Sequence, residues 1–253
     1  MKRVLILGSA PDAVQAKQID FSGFSAIIAI NNAWQILDNW THLVHPEDFA
    51  LERRPTPKSN QTIITHAQYV PANNAFGGIV YAGGTMAFTA AYWALHALQP
   101  DIMVFCGCDM VYDTKTQTHF YGNGEADPLR ADPTLQSLEA KANRLMLMAA
   151  NRSCLCVNFF DNPKSRLTFE PISPAYLAPD RVEFLSDARS LGLQKLQMKT
   201  DKTKMEAALI AEAKAECFVP TGDYWNYPEK RDANTLAQID ALWLETVNLK
   251  TTS

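Results

Sequence analysis

The chain is short of positive charge: its 253 residues carry 23 Lys and Arg against 27 Asp and Glu, a net charge of −4. The basic footprint that holds nucleic acid is therefore missing. No stretch approaches 18 consecutive apolar residues, so no segment is expected to span a membrane. Met1-Lys2-Arg3 is followed only by the run Val4 to Leu7 before Gly8, too short for the apolar part of a secretory signal. The expected location is the cytoplasm. There is neither a G-x-G-x-x-G nor a Walker A pattern. There is also no Asp-x-Asp pair, so the usual metal-diphosphate site of glycosyltransferases has no support. Cysteines number five. Cys106, Cys108, Cys154 and Cys156 sit in apolar runs and read as buried free thiols of a reducing compartment. Their two C-x-C pairs leave a four-thiolate zinc site as the rarer alternative. Strand periodicity would put each pair on one face, without the turn of a zinc knuckle.

What the chain does have is an alternation of short apolar runs and helical segments. Strands are expected at Val4 to Leu7, Ser25 to Ile30, Thr41 to Val44, Gln61 to Thr65, Ile102 to Cys106 and Cys154 to Val157. Such continuous runs suit strands covered on both faces. Pro11 is placed for a first helical turn, and Ala33 to Leu37 looks helical. Residues 52 to 60 read as a surface loop, and Ala72 to Gly84 has no clear period. Thr85 to Leu98 is apolar on most of its surface and reads as a buried helix. Gly107 to Asp132 is a long polar loop, of a length that is usually functional or mobile. Pro133 should begin a helix to about Asn151, with Leu135, Leu138, Ala142, Leu145 and Ala149 on one stripe. The expected fold is a Rossmann-like, doubly wound α/β core of mainly parallel strands over residues 1–170. Residues 171–253 read as a helical appendage on that core. Its helices lie near Thr203 to Glu216 and Ala233 to Leu249, and it is also a candidate homo-oligomer surface.

In open parallel sheets, ligands bind beyond the carboxyl ends of the strands, where strand order changes. The residues following each strand are therefore the candidate site. The first strand leads to Gly8, Ser9, Ala10 and Pro11, a turn whose free amides suit a phosphate or carboxylate or simply form a tight bend. The second leads to Asn31 and Asn32, the third to His45 and Asp48, the fifth to Gly107, Asp109 and Tyr112, and the last to Asn158. Gly83-Gly84-Thr85 precedes the buried helix. The glycines permit close approach of a ligand, and Thr85 can cap the helix or donate to a ligand oxygen. Asp109 can hold a sugar hydroxyl or a metal, or its own loop. His119 is placed as a general base, and Tyr112 and Tyr121 as donors to a departing phosphate. His42 and His66 look structural, His96 sits in the buried helix, and His45 is a secondary candidate.

The stretch Gly83-Gly84-Thr85-Met86-Ala87, then Ile102 through Tyr112 with Gly107-Cys108-Asp109, then Thr118-His119, resembles the core domain of the motility-accessory-factor proteins linked to flagellin glycosylation. It is also similar to the bacterial sialyltransferases of glycosyltransferase family 42 and, more distantly, to the archaeal-type hydroxymethylpterin diphosphokinases. The matches span roughly residues 3 to 170 and are dense over 83 to 122. The resemblance implies that Gly8, Ser9, Asn31 and Thr85 contact a cytidine-type nucleotide. It further implies that Tyr112 and Tyr121 face its phosphate and that His119 is the base. The sialyltransferases carry an arginine shortly before their Thr-Ser-Gly, where Ala82 and Gly83 stand here.

The implied activity is metal-independent glycosyl transfer from a nucleotide-sugar donor, a CMP-linked acidic sugar, to a hydroxyl acceptor. A second class, diphosphate transfer from a nucleoside triphosphate, would need magnesium, with Asp109 and either Asp48 or Asp113 as first ligands. A third is a nucleotide-binding protein without catalysis.

Overall fold

The structure, a computed structural model, describes residues 1–111, 117–123 and 132–248. Six strands, β1 (Arg3–Leu7), β2 (Ala26–Ile30), β3 (His42–Val44), β4 (Thr62–Ile64), β5 (Ile102–Cys106) and β6 (Leu155–Asn158), form one sheet in the order β4-β3-β2-β1-β5-β6. Every pairing is parallel. The chain steps outward from β1 to β4, then returns to lay β5 on the other side of β1. The strand order therefore reverses between β1 and β5, and a crevice must open above their carboxyl ends.

The strand sequences are mostly apolar because both faces of the central strands are covered. Val4 and Ile6 point into a cluster with Phe88 and Tyr92, whereas Leu5 and Leu7 point into another with Ala13, Ala16 and Phe21. The first face carries α1 (His66–Asn74), α3 (Met86–Ala97) and α4 (Leu138–Ala150), with the short α2 (Ile79–Ala82). The second face is thinner. It is covered by 3-10 turns at Pro11–Gln18 and Asn31–Gln35 and by α5 (Val182–Lys199), whose Leu185 joins that cluster. The architecture is the expected doubly wound α/β fold with a helical C-terminal region.

That region ends in α6 (Lys202–Ala215) and α7 (Ala233–Leu244), which pack on each other, with α7 against α4. Ala208, Leu236, Ile239 and Trp243 join the cluster that contains Val4 and Met103. A buried polar knot reinforces this seam. Arg144 donates to both Glu212 carboxylate oxygens at 2.7 and 2.8 Å, to the Phe76 carbonyl at 2.7 Å and to the Tyr92 hydroxyl at 2.9 Å. Trp243 Nε1 donates to the same Glu212 at 2.7 Å. The guanidinium carbon also lies 5.7 Å from the rings of Tyr92 and Trp243 and 5.8 Å from that of Tyr81, within cation–π range. Among the described residues, no helix is long and apolar enough to cross a membrane.

Several local expectations are corrected. The segments after β1 and β2 are 3-10 rather than α-helical, the second running over Asn31–Gln35 and not Ala33 to Leu37. Pro133 opens only a 3-10 turn, Pro133–Leu135; α4 starts at Leu138, where the Ser137 side chain accepts from the Ala140 amide. Helix α1 occupies His66–Asn74, and the 18-residue α5 was not expected at all. Helix α7 stops at Leu244 rather than Leu249. His96 does lie in α3, near its end, with the side chain exposed. Cys106 and Cys108 fall into opposite clusters, because Gly107 at φ +66° turns the backbone between them. All five cysteines are free and buried.

Candidate functional site

At the switch point lies a cleft of about 370 Å³. It gathers Gly8, Ser9 and Ala10 from the end of β1, Asn31 and Asn32 from β2, Gly107 and Asp109 from β5, and Thr85 at the start of α3. His119 and Tyr121 close it from the long loop. Pro11, Gly83, Gly84 and Asn158 do not line it. Tyr112 and Asp113 lie outside the described residues.

Two amides of the β1 turn are engaged within the fold. The Gly8 N–H donates to the Cys106 carbonyl at 2.8 Å and the Ala10 N–H to the Gly107 carbonyl at 3.0 Å. Pro11 has no N–H, and the carboxyl of Asp12 follows. The glycines serve the crossing of two backbones. A Cβ on Gly8 would stand 2.2 Å from the Gly107 oxygen, and one on Gly107 would stand 2.4 Å from the Ala13 Cβ. Gly84 likewise has φ +97°, and a Cβ there would lie 2.7 Å from Leu135. Thr85 caps α3: its Oγ1 accepts from the Phe88 amide at 3.3 Å and donates toward the Met110 sulfur at 3.7 Å.

The donors for an anion lie elsewhere around the same cleft. The amides of Met86 and Ala87 open α3, where a helix leaves N–H groups unpaired and the macrodipole favours negative charge; both residues line the cleft. Arg53 lines it too, and alone among the described lining residues is a lysine or arginine. Arg53 sits on a 3-10 turn, Leu51–Arg53, that the sequence presents only as a polar loop. The acceptors are equally distinct. Asn31 adopts φ +51°, and the side-chain oxygens of Asn31 and Asn32 are buried without a hydrogen-bond partner. Asn32 is only 4% exposed. A buried amide oxygen left unpaired costs free energy, which a ligand N–H or O–H would recover.

His119 belongs to a tight turn folded back into the cleft. Its N–H and carbonyl exchange bonds with Gly122 at 3.0 Å, and the Phe120 N–H donates to the Ser9 carbonyl at 2.9 Å, tying the turn to the end of β1. The His119 ring is buried. Its Nδ1 lies 2.9 Å from Thr118 Oγ1, and the Tyr121 ring stacks on it at 5.0 Å. Burial lowers the His119 pKa below its ordinary value, a shift that favours the neutral ring. When the proton sits on Nδ1 and is donated to Thr118, Nε2 carries the basic lone pair.

Asp109 is held on the cleft's far edge. Its carboxylate accepts from Asn162 Nδ2 at 2.9 Å and from the Val111 amide at 3.3 Å. Burial, with the charge of Asp12 beside it, raises its pKa; burial also raises that of Asp12. Asn158 has a structural role, donating to the carbonyls of Leu167 at 3.2 Å and Phe169 at 2.9 Å. His45 is buried, with Nδ1 at 2.8 Å from the Pro46 carbonyl. Among the described residues, no three His, Cys, Asp or Glu side chains are grouped to hold a metal.

A second cavity of about 540 Å³ adjoins the cleft, sharing Pro46, Asp48, Thr85 and Met86 with it. Tyr69, Tyr224 and Trp225 form aromatic walls, and Gly84 and Gly222 line it too. Sequence reasoning missed this chamber because its walls come from α1, α3 and the segment before α7. Compared with protein-family models, with curated proteins and with solved structures, the chain has no match.

Proposed function

We propose that the cleft binds a nucleotide and that the protein transfers a glycosyl group from a CMP-linked acidic sugar to a hydroxyl acceptor without a metal. The observation that carries this reading is convergence. An anion-favouring helix start, an arginine, two asparagines with unpaired amide oxygens and a buried histidine all line one crevice at the switch point. In this reading the phosphate rests against the α3 amides and Arg53 rather than on the β1 turn. Asn31 and Asn32 accept from the base amino group or the ribose hydroxyls. The acceptor enters through the adjoining aromatic chamber. His119 Nε2 takes the acceptor proton as the acceptor oxygen bonds to the anomeric carbon. The anomeric carbon–oxygen bond to phosphate breaks, and its electron pair leaves with CMP. Preorganised donors at that phosphate stabilise the developing charge, and Tyr121 keeps the imidazole in place by stacking.

The test is His119→Ala assayed for CMP release from a CMP-linked acidic sugar with a hydroxyl acceptor. Loss of a general base should lower turnover by about 10²–10⁴-fold while CMP binding stays within a few-fold. Turnover close to that of the wild type removes His119 from the mechanism. One observation favours a second reading. Asp12 and Asp109 line one small pocket that adjoins the cleft, and a magnesium-dependent diphosphokinase would require such paired carboxylates as ligands. ATP binding that strictly needs magnesium, with no response to CMP, would select it. A protein that binds CMP without turnover on any sugar donor would be the non-catalytic case.

A further inference from the structure

Helix α5 is anchored on one side and bare on the other. Leu185 and Leu196 are buried against the core. Gly192 lets the helix approach the sheet, since a Cβ there would lie 2.9 Å from Leu155. Arg189 donates to the Asp101 carbonyl at 3.0 Å and to the Ser153 carbonyl. The opposite face carries Phe184, Leu191 and Met198, which are 56%, 50% and 74% exposed. These three recur every seven residues, a spacing that drifts only about 20° per repeat around a straight helix. They form one apolar line pointing away from the protein.

We infer that this line is the interface between two copies of the chain, paired as antiparallel α5 helices about a two-fold axis through Leu191. The sequence is self-complementary in that one arrangement. Phe184 and Met198 lie seven residues either side of Leu191, so each meets the other across the axis. Asp187 and Lys195 lie four residues either side, and Glu183 and Lys199 eight either side. Antiparallel pairing sets each acid level with a lysine of the second copy. Parallel pairing would set Asp187 against Asp187 and Lys195 against Lys195. Glu183, Asp187 and Lys195 make no ion pair or side-chain hydrogen bond among the described residues, and Lys199 makes only an exposed pair with Glu170 at 3.1 Å. A C2 interface uses the same patch on both subunits, which this symmetry provides. Eighteen residues give a seam of about 27 Å at 1.5 Å per residue. One helix pair buries less than the roughly 1,200 Å² of a standard interface, so the dimer is weak and concentration-dependent.

The experiment is sedimentation velocity on the full chain from low to high micromolar concentration. Wild type should pass from monomer to dimer, and Leu191→Glu, which places like charges on the axis, should stay monomeric with unchanged helicity and melting temperature. Lys195→Glu should weaken the dimer about tenfold through its two symmetric pairs, and adding Asp187→Lys to the same chain should restore it. A short bismaleimide should link Leu191→Cys to itself, but not Phe184→Cys, whose copies lie two heptads apart. A wild type that stays monomeric, a dimer indifferent to Leu191→Glu, or charge reversal without rescue would overturn the proposal. Equal linking of both cysteine variants would do so too.

Discussion

Glu212 offers the sharpest energetic test of how the C-terminal helices are held. It is 7% exposed at the side chain and accepts from Arg144, itself 3% exposed, and from the Trp243 indole. Glu212→Ala leaves a guanidinium buried without its counter-charge, a change that costs about 3–5 kcal/mol. It also leaves the Trp243 N–H without an acceptor, worth about 1–3 kcal/mol on its own. The two overlap, because Arg144 keeps Phe76 and Tyr92 as partners, so the expected loss is about 4–5 kcal/mol. At roughly 2–4 °C per kcal/mol for a chain of this size, the melting temperature should fall by about 10–20 °C. The assay is urea unfolding followed by tryptophan fluorescence and far-UV circular dichroism. Replacing both partners, Arg144→Met with Glu212→Leu, removes the uncompensated charge and should be less damaging than Glu212→Ala alone. A loss below about 1 kcal/mol for Glu212→Ala, or a double variant worse than the single one, would refute the assignment of this knot as the clamp between α4, α6 and α7.

Two further perturbations probe the cleft. Gly107→Ala combines a left-handed backbone with a Cβ 2.4 Å from Ala13, so it should cost about 2–4 kcal/mol from strain and overpacking together. Gly122→Ala, at φ +126° with open space around it, should show backbone strain alone; equal urea midpoints for the two would contradict the crossing of the β1 and β5 turns. The lowered His119 pKa has a defined sign. The unfolded chain takes up a proton near pH 6.5 before the folded chain does, so this contribution is complete above pH 6.5 and is lost as pH falls through the lower folded value. His42, lowered by burial as well, acts in the same direction. His119→Asn should therefore flatten the stability–pH curve below pH 6.5, and an unchanged slope would show that the ring is not buried in solution.

The six strands were legible because each is a short, mostly apolar stretch closed by glycine or a polar residue, a pattern that a covered parallel sheet produces by itself. The buried α3 was legible for the same reason, with Thr85 marking its start. Helix α5 was not, because its apolar residues are divided between an inward face at Leu185 and Leu196 and an outward line at Phe184, Leu191 and Met198. Two faces cancel the single-sided periodicity by which helices are read, and Gly192 weakens the propensity signal further. Helix α1 was obscured by Pro71 and the paired asparagines, although Thr65-x-x-Gln68 spells a capping box. Within the site, residues at strand ends were readable from topology alone. The turn after β1 was less legible, since its Gly8 and Ala10 amides donate to the Cys106 and Gly107 carbonyls at the end of β5, a pairing that only the fold creates. Arg53 was invisible for a related reason. Only the outward march from β2 to β4 swings its turn over the cleft.

The central claim is that the crevice between β1 and β5 is a metal-independent nucleotide site, and the most direct measurement is a thermal-shift titration with CMP, CDP, UDP, GDP and ATP, each with and without magnesium. CMP at 100 times its dissociation constant should stabilise the fold by about 2.7 kcal/mol, a rise of roughly 5–10 °C. The rise should be the same without magnesium and should shrink with Arg53→Ala. No shift with any nucleotide, or one that appears only with magnesium and survives Arg53→Ala, would contradict the account.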